Sequence, residues 1–144
     1  MARNDKKKAV FYGSAPPYPI SRAVRAGDFV ITCAMADRAF APEEAHYDAE
    51  GRPMATSARL KNLTFAEEVR GTFEALEEAL APAGCTLADV IDVQVWLRDP
   101  RDFHELNRIY VEYFKTNRPV RSVFQNQFMF EFRIEIKVVA YKPL

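Results

Sequence analysis

Two amphipathic helical segments are set against six runs of strand character in this chain, and that imbalance limits what it can fold into. Thr64 and Glu67 spell a T-x-x-E capping box, after which Phe65, Val69, Phe73, Leu76 and Leu80 recur at steps of three or four. The spacing predicts a helix over residues 65–81, stopped by Pro82 and Gly84. Asp99 followed by Pro100 is a cap with proline at the first helical position, and Phe103, Leu106, Tyr110, Tyr113 and Phe114 mark a second helix that Arg118-Pro119 ends.

The strand runs lie around these helices. Residues 9–12 form an opening strand that stops at Gly13, before a loop holding Pro16, Pro17 and Pro19. Residues 21–24 and 29–35 flank a turn in which Gly27 can take positive φ, which predicts a hairpin. Residues 90–97 place Ile91, Val93, Val95 and Leu97 on one face and Asp92, Gln94 and Trp96 on the other. Residues 121–127 and 134–141 close the chain; in the last run Ile134, Ile136, Val138 and Ala140 share a face opposite Glu135 and Lys137. Residues 37–63, interrupted by Pro42, Gly51 and Pro53, read as a long loop. The order βββαβαββ gives an α+β two-layer sandwich, a single sheet with both helices on one face. The opposite face carries Trp96, Val139 and Tyr141 among its charges, so a second subunit is expected to cover it.

A chain of 144 residues fits a single domain over residues 1–144, with residues 1–8, including Lys6, Lys7 and Lys8, as a flexible arm. Lys plus Arg equals Asp plus Glu at 20 each, so no global field draws the protein to nucleic acid or to a membrane, and neither is expected as a partner. With two cysteines, Cys33 and Cys85, and no apolar stretch after the basic run, a cytoplasmic location with reduced thiols is expected. His46, His104 and the cysteines show none of the short spacings of zinc sites, so no metal is expected; no other cofactor is either. Neither histidine has the partners of a catalytic triad.

Three stretches in this order, Ser21 through Asp28, Ala83 through Val90 and Asn107 through Ser122, resemble the Rid (YjgF-type) family of reactive-intermediate deaminases. Ile134-Glu135-Ile136 is similar to the family's final strand, and the R-P-x-R-S signature at residues 118–122 is the most specific part of a likeness spanning residues 21–140. The resemblance implies a chorismate-mutase-like subunit, a homotrimer whose sheets form an inner barrel, and pockets at the subunit boundaries. It also implies a small carboxylated metabolite as ligand. Arg121 would bind the carboxylate of a 2-imino or 2-enamino acid, and Glu135 would orient or activate the water that releases ammonia and leaves a 2-keto acid. Cys33, Ala34, Asn107 and Val123 fall at substrate-binding positions, and Tyr18 would fill the family's aromatic place, which Ile20 occupies here, if its loop bends inward. The chain departs from the family's usual pattern at Cys33-Ala34, where Ser-Gly is common, at Val123, where a polar residue is common, and in the aromatic turn over residues 128–132.

Each candidate also has a structural reading. Arg121 offers a planar fork suited to a carboxylate, or it closes a salt bridge with Glu131, Glu135 or a neighbouring subunit; the R-P-x-R-S context favours the carboxylate. Glu135 is a general base or the partner of Lys137 on the same face. Asn107 touches substrate or serves the helix surface. Three functions follow: a cofactor-independent hydrolytic deaminase, a non-catalytic trimer that senses keto acids, and, least favoured, an endoribonuclease.

Overall fold

The computed structural model describes residues 8–15, 18–38, 49–50 and 62–144. The expected arm lies, but for Lys8, outside the described residues, as does most of the expected loop over residues 37–63. Six strands form one sheet: β1 Val10–Ala15, β2 Tyr18–Ala26, β3 Phe29–Thr32, β4 Val90–Leu97, β5 Val120–Gln125 and β6 Ile134–Tyr141. Two α-helices pack on one face, α1 Phe65–Leu80 and α2 Phe103–Tyr113, so the two-layer α+β architecture is as expected.

The local signals act as their chemistry requires. The Glu67 N–H donates to Thr64 Oγ1 at 3.2 Å and the Thr64 N–H donates to Glu67 Oε2 at 2.7 Å, so the capping box satisfies donors that helix geometry leaves open. Gly84, left-handed at φ 75°, follows the short 3-10 turn Ala81–Ala83 that ends α1. Asp99 accepts from the Arg101 N–H at 2.9 Å ahead of α2. The strand order is β1-β2-β3-β6-β4-β5, antiparallel except for β4 and β5, which α2 joins as a parallel crossover. Val30, Val93, Val95, Leu97, Ile134, Ile136, Val138 and Ala140 are buried in one core with Phe73, Leu76, Leu80, Leu106 and Ile109 of the helices.

The structure corrects four expectations. The first strand does not stop at Gly13: it continues to Ala15, with Gly13 at φ 64°. A Cβ there would come within 3.1 Å of the Arg22 Cβ, so glycine is what lets the Arg22 stem lie across the strand. β2 begins at Tyr18, which places Pro19 inside a strand. Ile91 is exposed, not buried, because the register with β6 shifts between Val90 and Asp92 and the bulge turns it outward. β3 ends at Thr32, whose hydroxyl accepts from the Val138 N–H at 3.1 Å in place of a further backbone rung.

Candidate functional site

Two separate groups of candidate residues emerge from this fold. The first is built where Cys33 and Ala34 step out of the β3–β6 ladder. The Cys33 N–H turns to the Arg22 carbonyl at 2.9 Å, and Met35 then rejoins Ile136 through two backbone bonds of 2.8 and 2.9 Å. Beside this excursion is a cavity of about 360 Å3 whose walls include Tyr18, Arg22, Cys33, Ala34, Phe130 and Glu135. The aromatic turn does not close it. Phe130 and Phe132 pack with Ala36, Phe128 and Tyr18 into a small cluster of their own, and that cluster forms one wall. Tyr18, as the first residue of β2, meets Phe130 edge to face at 6.3 Å.

Glu135 is half-buried in this cavity, and burial pushes its carboxyl above the usual value of 4.5. Burial likewise raises the Cys33 thiol, against the pull of the neighbouring Arg22 cation. A weakly nucleophilic, uncharged thiol is therefore the resting form of Cys33.

The second group lies on the other face of the sheet, across β4. Arg121 pairs in register with the buried Val93, which puts it on the helix side of β5, whereas Glu135 pairs with Trp96 on the side away from the helices. The Arg121 guanidinium sits over the Tyr110 ring at 4.6 Å and near the Phe103 ring at 5.8 Å. Asn107 falls between those two rings on α2 at helical spacing, and Val123, two residues along β5 from Arg121, packs against the core. Among the described residues no carboxylate lies within salt-bridge distance of Arg121, so neither Glu131 nor Glu135 of the same chain occupies it.

One chain thus brings Tyr18, Cys33, Ala34 and Glu135 together, and Arg121, Asn107 and Val123 together, but not the two sets with each other. Arg22, Phe103 and Tyr110 were not read as site residues from the sequence. Tyr110 belongs by periodicity to the apolar stripe of α2, yet its hydroxyl is buried without a hydrogen-bond partner among the described residues, and burial raises it to about 12. The signal for an aromatic seat was the spacing of Phe103, Asn107 and Tyr110. Among the described residues no cluster of three or more His, Cys, Asp and Glu side chains is arranged to hold a metal ion, and no helix is long and apolar enough to cross a membrane.

The model of the family described as Endoribonuclease L-PSP matches residues 49–142. The chain belongs to that family. A RutC family protein of Pyrococcus horikoshii is 30% identical over 94% of this chain and 98% of its own. The human 2-iminobutanoate/2-iminopropanoate deaminase is 37% identical over 59% of this chain and 63% of its own. The crystal structure of a YjgF family member from Neisseria meningitidis superposes with a TM-score of 0.72 at 24% identity, covering 95% of this chain and 97% of that one. At that identity the likeness bears on the Endoribonuclease L-PSP fold alone, the same six-stranded sheet under two helices.

Proposed function

We propose that this chain is a cofactor-independent deaminase of small 2-enamino or 2-imino acids, acting at pockets shared between the subunits of a homotrimer. The observation that carries the reading is the split site. An arginine seated on aromatic rings, without a carboxylate partner among the described residues, lies at one edge of the subunit, and a cavity with a half-buried glutamate lies at the other side of the sheet. Each is half of a carboxylate-binding, water-activating site, and a neighbouring copy supplies the missing half. The names of relatives, among them the human 2-iminobutanoate/2-iminopropanoate deaminase, support the same chemistry.

In this reading Arg121 holds the substrate carboxylate through paired charge-assisted hydrogen bonds, and the rings of Tyr110 and Phe103 keep the guanidinium in place. Glu135 takes a proton from water as the water oxygen bonds to the imine carbon, and passes it to the nitrogen; the new hydroxyl then loses its proton to the departing nitrogen as the C–N bond breaks, so ammonia leaves and a 2-keto acid remains. No electrons are exchanged, so no redox partner is needed. The carbon is already electrophilic, and a carboxylate of modestly raised basicity suffices.

The test is a coupled assay in which an amino-acid oxidase generates imino acids in situ and ammonia release is timed with and without the protein. Acceleration is expected. The packing of Val123 into the core, where a polar ligand contact is common in relatives, favours a second reading as a keto-acid binder without catalysis. A flat response across several side-chain classes, with saturable keto-acid binding, would favour that one.

A further inference from the structure

The cavity at Cys33 contains a cation that the proposed reaction does not use. Arg22 lies on the cavity wall beside Tyr18, Cys33 and Glu135, half-buried, its stem crossing β1 at Gly13. Its main chain is also fixed, because the Arg22 carbonyl accepts the Cys33 N–H at 2.9 Å. Among the described residues no carboxylate is within salt-bridge distance of it.

The cavity's other charges have different situations. Arg38 is held by Glu74 at 2.8 Å. Asp37 packs against α1, so closely that a Cβ on Gly71 would lie 1.6 Å from its carboxylate, and Glu78 stands on the helix rim. At the inner end, the Cys33 thiol feels two cations, Arg22 and Lys137, and one acid, Glu135. Burial alone raises the Glu135 carboxyl; pairing with Arg22 would have drawn it down. A guanidinium on a largely apolar cavity wall, its stem held across Gly13, is a seat for an anion the ligand brings.

We propose that Arg22 is a specificity-determining residue, and that the preferred ligands carry an acidic side chain in addition to the 2-carboxylate, as the imines and keto acids of acidic amino acids do. The inference rests on the carboxylate role proposed for Arg121: the 2-carboxylate goes to Arg121 of one subunit and the side-chain acid to Arg22 in the cavity of the next.

Calorimetric titration of the assembled protein with 2-oxoglutarate and with 2-oxobutanoate tests it, on the parent and on Arg22→Gln, Arg22→Lys and Arg121→Ala. The parent is expected to bind 2-oxoglutarate roughly tenfold more tightly or better, the scale on which a charge pair discriminates. Arg22→Gln should erase that preference and leave 2-oxobutanoate binding unchanged, while Arg22→Lys keeps part of it. Equal affinity of the parent for both acids, or an equal loss of both in Arg22→Gln, overturns the proposal. So does dissociation of the Arg22→Gln assembly, which would make Arg22 the partner of a neighbouring subunit's carboxylate. Arg121→Ala separates the two readings: loss of both ligands supports the carboxylate anchor whatever Arg22 does, and unchanged binding of both removes the anchor and this inference with it.

Discussion

At the scale of single residues, Arg121 and Glu135 carry the sharpest consequences. Arg121 is seated on Tyr110 and Phe103 and has no carboxylate within salt-bridge distance among the described residues, so a bound carboxylate would give it a strong ionic contact. Arg121→Ala should weaken keto-acid binding by about 2 to 5 kcal/mol, because it leaves the ligand's charge unpaired in a partly dry site. Arg121→Lys should recover only part of that, since a point charge lacks the two-pronged geometry; titration of variants with verified assembly decides it. Glu135 predicts a pH dependence. A general base works deprotonated, and burial raises this carboxyl above 4.5, so kcat/KM should fall as pH drops through a value above 4.5 and Glu135→Gln should remove that acidic limb. The same shift acts with the opposite sign on stability. With the folded pKa above the unfolded one, this group's contribution is complete below the unfolded value and is lost as pH rises through the folded value. A rate profile and a denaturation profile that move in the same direction would exclude Glu135 as their common source. Both residues were legible in the sequence as chemistry, from R-P-x-R-S and I-E-I, but their separation across β4 was not. Residue spacing carries no information on strand pairing, and it is the register on β4, with Arg121 beside Val93 and Glu135 beside Trp96, that puts them on opposite faces.

At the scale of elements, the sequence was most informative where a periodic pattern and a stop signal coincide, and least informative where a polar residue sits on a core face. The capping box and Gly84 marked α1 to within a residue or so, because each satisfies or relaxes specific backbone groups. Ile91 departs from the expected alternation because a bulge breaks the strand's period of two. Glu68 was passed over, although its step from Phe65 and on to Thr72 and Leu76 places it on the inward face of α1. It is fully buried, and its carboxylate accepts the Arg133 backbone N–H and Nε–H, each at 2.6 Å, while Arg133 Nη2 donates to the Leu63 carbonyl at 2.6 Å. This tie fixes the start of β6, hence the position of Glu135, against α1. Glu68→Ala should destabilise the fold by about 3 to 5 kcal/mol, since it leaves a guanidinium and a main-chain donor without their partner. Chemical denaturation measures it; a loss below about 1 kcal/mol would mean that water replaces the carboxylate at no great cost.

At the scale of the whole molecule, two helices leave one face of the sheet uncovered. Phe29 and Tyr141 meet at 5.3 Å, Trp96 and Phe124 stack at 6.1 Å, and Ile31 and Val120 extend the same exposed apolar ground, Val120 being 70% accessible. Asp92, Gln94 and Lys137 lie among them, yet so many exposed aromatic and aliphatic side chains on one face mark a contact surface. The sequence revealed that a face would be left open, by counting helices against strands, but the number of copies that close it came only from the family resemblance. If three sheets pack these faces together, each Arg121 edge can meet a neighbour's Glu135 cavity, and assembly and site completion become one event. Light scattering should then give about three times the 16.5 kDa subunit mass. Trp96 is the chain's single tryptophan and lies on this face, so its fluorescence should report the same event, shifting to the red as dilution separates subunits. Trp96→Glu places a charge where the face must be dry; it should yield smaller species that lose deaminase activity and keto-acid binding together, although neither Arg121 nor Glu135 has changed. A monomer that retains full ligand binding would refute the shared pocket and leave the two half-sites without a common role.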